Sequence, residues 1–109
     1  MSERLEVIEP ATGEVLETVD RASADDLDAA VERARRAWPA WRDLDPAARA
    51  ELLLAVARAV EDAHEDLAVL EARNAGKPIA DARGEIEMVA ATFRYYAGAV
   101  QRPFGATIP

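Results

Sequence analysis

Carboxylates are the side chains here whose type and spacing suit chemistry. Asp62 with Asp66 and Asp81 with Glu85 each stand four residues apart, which on a helix places both acids on one face, where they can bind a cation or exchange protons. Solvated acidic faces show the same spacing, so the pairs alone do not define a site. His64, the only histidine, lies among Glu61, Asp62, Glu65 and Asp66 without a partner nucleophile and is read as a solvated side chain with no catalytic role. Cysteine is absent, which excludes a thiol nucleophile, a thiolate metal site and a disulfide scaffold. The glycines at 13, 76, 84, 98 and 105 are scattered, and none follows a strand into a helix in the pattern that cradles phosphates. No residue is therefore assigned to catalysis or to a cofactor.

The 109 residues have the length of one domain or part of one, and they are half apolar and 31% charged, as a soluble globular chain would be. A formal charge of -8 repels phosphate backbones, so no nucleic-acid partner is expected, and the acidity reads as solubility. Charge-free stretches fall far short of the roughly 20 apolar residues of a membrane span. The opening Met1-Ser2-Glu3-Arg4-Leu5 lacks the basic and apolar regions of a secretory signal. A cytoplasmic location without membrane contact is expected.

The elements that must position any site follow from local signals. Leu5 to Glu9 and Glu14 to Val19 read as strands around Pro10-Ala11-Thr12-Gly13, a hairpin over 5–19. Ser23, with Asp26 three residues on, caps a helix over about 24–42 whose apolar stripe is Leu27, Ala30, Val31, Ala34, Trp38 and Trp41. Pro39 is expected to kink or end it, and the two tryptophans are expected as core anchors. Asp45-Pro46 starts a second helix over about 46–63, with the stripe Leu52, Leu53, Val56, Ala57 and Val60. A third covers about 65–75, and Gly76-Lys77-Pro78 stops it and starts a fourth over about 79–98, closed by Gly98. The fold class is mostly α with an N-terminal β-hairpin, one partial domain over 1–109 whose strand edges and apolar stripes lack cover.

Taken in order, these segments resemble the start of the aldehyde dehydrogenase superfamily. Val7-Ile8-Glu9-Pro10-Ala11-Thr12-Gly13-Glu14 is similar to its N-P-A-T-G-E opening, with Glu9 where asparagine is usual. Asp25 to Trp41 resembles its first helix, and Pro46-Ala47-Ala48-Arg49 its P-x-x-R. Leu70-Glu71 with Gly76-Lys77-Pro78 resembles L-E-x-x-x-x-G-K-P. Phe93 to Gly98 and Gly105 to Pro109 resemble F-x-Y-Y-A-G and G-x-x-I-P.

The resemblance implies the N-terminal part of a Rossmann-like cofactor-binding domain. It also implies an oxidoreductase that converts an aldehyde to a carboxylic acid with NAD or NADP. The family's cysteine, glutamate base, oxyanion-hole asparagine and cofactor loop are expected beyond these residues, so the chain alone is expected to be inactive. Its implied partner is the remainder of the dehydrogenase chain, in a parent enzyme expected to be a homo-oligomer. Betaine aldehyde dehydrogenases, which the chain resembles, hold potassium between strand-end carbonyls and a helix carboxylate. By that resemblance Val7, Ile8 and Glu85 are the candidate ligands. The alternative reading is an acidic helical module that binds a protein partner.

Overall fold

The computed structural model describes residues 4–102. Two antiparallel strands, β1 (Arg4–Ile8) and β2 (Val15–Asp20), lead into four helices, α1 (Ala24–Arg42), α2 (Pro46–Asp62), α3 (His64–Ala75) and α4 (Ile79–Ala99). The stretch Gly105 to Pro109 and the first three residues lie outside the described residues.

The hairpin turns where backbone chemistry allows. Gly13 sits at φ +75°, its N–H donating to the Glu9 carbonyl at 2.8 Å, and the Glu9 N–H donates to the Glu14 carbonyl at 2.9 Å. Val7 opposes Glu17 while Ile8 opposes Val15, so Leu16 is the extra residue of a β-bulge.

The first two helices begin with side-chain caps. Ser23 and Asp26 form a full capping box, with the Asp26 N–H donating to Ser23 Oγ at 3.1 Å and the Ser23 N–H to Asp26 Oδ2 at 2.9 Å. The Ser23 hydroxyl and then the Ser23 backbone hold the Asp26 carboxyl below its usual range. Asp45 Oδ1 accepts from the Ala47 N–H at 2.8 Å, ahead of Pro46 in the first turn of α2.

α1 ends at Arg42, as its expected range has it, with Pro39 inside the helix and not at its end. Later boundaries differ from the expectation. Ala63 serves both neighbouring helices, since its N–H closes α2 on the Ala59 carbonyl at 3.2 Å and its own carbonyl accepts the Leu67 N–H at 3.0 Å; α2 thus stops at Asp62 and α3 starts at His64. Gly98 lies inside α4 and lacks positive φ, so the helix continues to Ala99. Gly76, at φ +72°, is the glycine that does take the left-handed cap.

α4 packs along α2 and α3. Among the described residues the buried ones are all alanines: Ala50 and Ala57 on α2, Ala68 on α3, and Ala82, Ala90 and Ala97 on α4. Small side chains let these helix backbones approach closely, and ion pairs clamp the seam from outside. Arg94 of α4 reaches Glu61 of α2 at 2.5 and 3.1 Å, and Arg83 of α4 reaches Glu65 of α3 at 2.7 and 2.9 Å. Each arginine holds its glutamate below the ordinary carboxylate range.

The large apolar side chains stand mostly outside this seam. α1 buries no residue, and Trp38 and Trp41, expected as core anchors, are 56% and 38% exposed. The chain presents 8493 Å² of surface, where a compact monomer of its mass presents about 5,900 Å². Its radius of gyration of 18.5 Å exceeds the roughly 13 Å of a compact domain of this length. No helix among the described residues is long and apolar enough to cross a membrane.

Candidate cation site at the hairpin corner

The hairpin loop sits on the end of α3. Arg73, in the last turn of that helix, donates from Nε to Glu9 Oε1 at 3.2 Å and from Nη2 to Glu9 Oε2 at 3.0 Å. The Glu9 side chain is only 14% exposed, and the guanidinium hydrogen bonds hold its carboxyl below the ordinary value of 4.5. Pro10 rests over Gly76 so closely that a Cβ there would lie 3.0 Å from Pro10 Cβ.

Because the Glu9 carboxyl is depressed in the folded chain, its contribution to stability is complete above the ordinary value of 4.5 and is lost as pH falls through the lowered one. Hydrogen exchange of the strand amides, corrected for intrinsic rates, is therefore expected to rise on acidification. Glu9→Gln is expected to exchange faster at neutral pH and to lose that pH dependence; an unchanged profile would show that the pair does not hold the hairpin.

Beside this clamp, β1 and β2 face α3 across a groove of about 630 Å³ lined by Val7, Leu16, Glu17, Leu70, Glu71, Arg73 and Asn74. The bulge places Val7 in it and Ile8 one pair further on, opposite Val15. Glu85, in the second turn of α4, connects to this corner through Lys77. The Lys77 ammonium contacts Glu71 Oε1 at 2.7 Å and also pairs with the Glu85 carboxylate. The hydrogen bonds that Lys77 donates to Glu71 and then to Glu85 raise its pKa above 10.5.

Val7 lines this groove together with Glu71, and Glu71 in turn shares the Lys77 ammonium with Glu85. Carboxylate oxygens are hard donors that suit a cation, and the group they hold in this structure is the Lys77 ammonium. Among the described residues no cluster of three or more His, Asp or Glu side chains suits a metal ion. Asp81, paired in the sequence with Glu85, and the Asp62 and Asp66 pair are exposed. His64 is half-buried, with Nε2 3.1 Å from the Arg83 carbonyl and 3.8 Å from Glu87. Lys77 and Arg73 are the central residues that spacing alone did not single out. The visible signals were acids at 71 and 85 flanking Lys77 and the glutamate at position 9 in place of asparagine.

Residues 1–109, the whole chain, match the profile of the aldehyde dehydrogenase family. The chain belongs to that family.

Its dehydrogenase relatives place the match. The succinate-semialdehyde dehydrogenase GabD of Escherichia coli K12, whose name specifies NADP(+), is 38% identical over 107 residues, covering 98% of this chain and 22% of its own length. PnpE in complex with nicotinamide adenine dinucleotide superposes at a TM-score of 0.90 with 41% identity, over 98% of this chain and 22% of that one. A betaine aldehyde dehydrogenase of Staphylococcus aureus in complex with NAD+ superposes at 0.88 with 26% identity, over 98% and 23%. The chain spans about a fifth of the length of the curated relatives it matches. Its hairpin and helices correspond to the N-terminal part of aldehyde dehydrogenase structures.

Proposed function

We propose that this chain is the structural lead-in of an NAD(P)-dependent aldehyde dehydrogenase that oxidises an aldehyde to a carboxylic acid. In this reading the hairpin and helices support the cofactor-binding sheet, and the reacting thiol and the dinucleotide cradle come from the rest of the polypeptide. The observation that carries it is the match of the entire chain to about a fifth of each dehydrogenase relative. The absence of cysteine supports the division of labour, and the uncovered apolar stripes supply faces for the remainder to cover. The complete enzyme uses NAD or NADP, which relatives carry in their structures or names, and it works in the cytoplasm as a homo-oligomer.

Residues 1–109 alone are expected to produce no NADH or NADPH from any of a panel of aldehydes, while the complete polypeptide does. Turnover by residues 1–109 that heating abolishes would place reacting groups in this chain and sink the proposal.

We also propose Val7, Ile8 and Glu85 as this chain's share of a monovalent-cation site in the complete enzyme, with potassium as the ion. Two backbone carbonyls and a carboxylate are donors of the hard type that such an ion prefers. Lys77 already neutralises Glu85, so the ion must compete with a tethered ammonium, and weak binding follows. Stability of the complete enzyme is expected to be higher in potassium chloride than at equal ionic strength in a bulky organic cation. Equal stability in the two salts would remove the site.

A further inference from the structure

Arg49, near the start of α2, differs from the other arginines that join elements of this fold. Arg73, Arg83 and Arg94 each present the Nε and Nη2 edge of the guanidinium to both oxygens of a glutamate. Arg49 spends Nη1 on a long 3.4 Å bond to the Arg42 carbonyl at the end of α1, and its Nε is buried with no acceptor. Solvent does not reach that atom, so water does not satisfy it. Shortage of acid is not the cause, since the chain carries 21 carboxylates against 13 Lys and Arg, yet among the described residues none is placed here. A buried guanidinium donor without an acceptor is unfavourable, and evolution of a fold places a partner on it or replaces it.

We propose that Arg49 is one half of an ion pair whose carboxylate belongs to the rest of the dehydrogenase polypeptide, on an element that also covers the tryptophan end of α1. This rests on the reading that the chain is part of a longer dehydrogenase. The relatives supply the occupant's source, since about four-fifths of their length lies outside the match. The same end of α1 that takes the Arg49 hydrogen bond carries Trp38, Trp41 and, just beyond, Leu44, at 56%, 38% and 37% exposed. An apolar element bearing one Asp or Glu matches both features. Arg49 as a whole is half-buried, so a turn about its outer torsions presents the Nε and Nη2 edge to the incoming acid.

The test is Arg49→Met, similar in length but without donors, measured by urea unfolding in residues 1–109 and in the complete polypeptide. In residues 1–109 the midpoint is expected to stay or rise, because the donor removed had no acceptor. In the complete polypeptide the midpoint is expected to fall, and the gap between wild type and variant is expected to close as pH drops through the carboxylate range. There Arg49→Lys, which keeps the charge and loses the fork, is expected to fall between them. If residues 1–109 unfold too gradually for a midpoint, exchange of the Asp43 and Leu44 amides at the same elbow gives the comparison. A fall in both settings would mean that Arg49 is satisfied within this chain, and no change in either would mean that no acid meets it; each overturns the inference. A complete polypeptide without aldehyde oxidation would instead refute the functional reading, whereas an active enzyme indifferent to Arg49→Met would refute this inference alone.

Discussion

Gly76→Val is expected to free the hairpin from α3 and to destabilise the fold by about 3 kcal/mol, the sum of a left-handed residue and a steric clash. Gly76 occupies φ +72°, where a side chain costs about 1–2 kcal/mol on its own. Its Cβ would also meet Pro10 Cβ at 3.0 Å and Pro10 Cγ at 3.3 Å, and a proline ring is not a flexible chain end that swings aside. Relief requires the loop to lift, which pulls Glu9 away from Arg73 and opens the groove that holds Val7. The measurement is a urea midpoint together with exchange of the strand amides, which are expected to lose protection before the α2 and α4 amides do. Gly84→Ala is the matched control. It lies within α4 with nothing within 4 Å of its Cβ, so it is expected to stabilise by up to about 1 kcal/mol through helix propensity. A Gly76→Val chain as stable as wild type would show that the hairpin does not depend on this contact.

The alanine seam predicts a second large effect. Ala57→Leu is expected to cost at least about 2 kcal/mol, since overpacking a closed interface typically costs 1–3 kcal/mol and here there is little room for a new rotamer. Ala57 has no exposed surface, and the side chains buried where α2 packs on α4 are alanines, which have no rotamer to change to make space. Insertion of an isobutyl group must therefore part the helices, and with them the Arg94 to Glu61 pair that spans the seam. Ala59→Leu, one exposed face away on the same helix, is the control and is expected to fall within half a kcal/mol or so of wild type. Equal midpoints for the two variants would mean that the seam is loose and that the close approach of the helices does not hold the fold.

These variants probe contacts of different legibility. Caps, stops and period are written in short windows: Ser23 with Asp26, Asp45-Pro46, and Gly76 before Lys77-Pro78 each act through backbone groups within four residues. That locality is why a hairpin and four helices could be read from residues in order, and why a serial match of motifs pointed to one family. Gly98 misled the reading because a glycine inside a helix costs only about 1 kcal/mol, which the surrounding helix absorbs.

The sequence by itself determined the elements, the lack of a thiol and the family. Only the tertiary structure decided which stripe residues are covered and which charges meet. On α2 and α4 the alanines of the stripe are buried more fully than its larger side chains, because close helix approach selects the small ones. Glu9 finds Arg73 across 64 residues, Lys77 is shared by Glu71 and Glu85, and Arg49 meets no acid among the described residues, and each outcome depends on how the elements cross. Crossing geometry is set by the whole surface of contact at once, so no local spacing contains it.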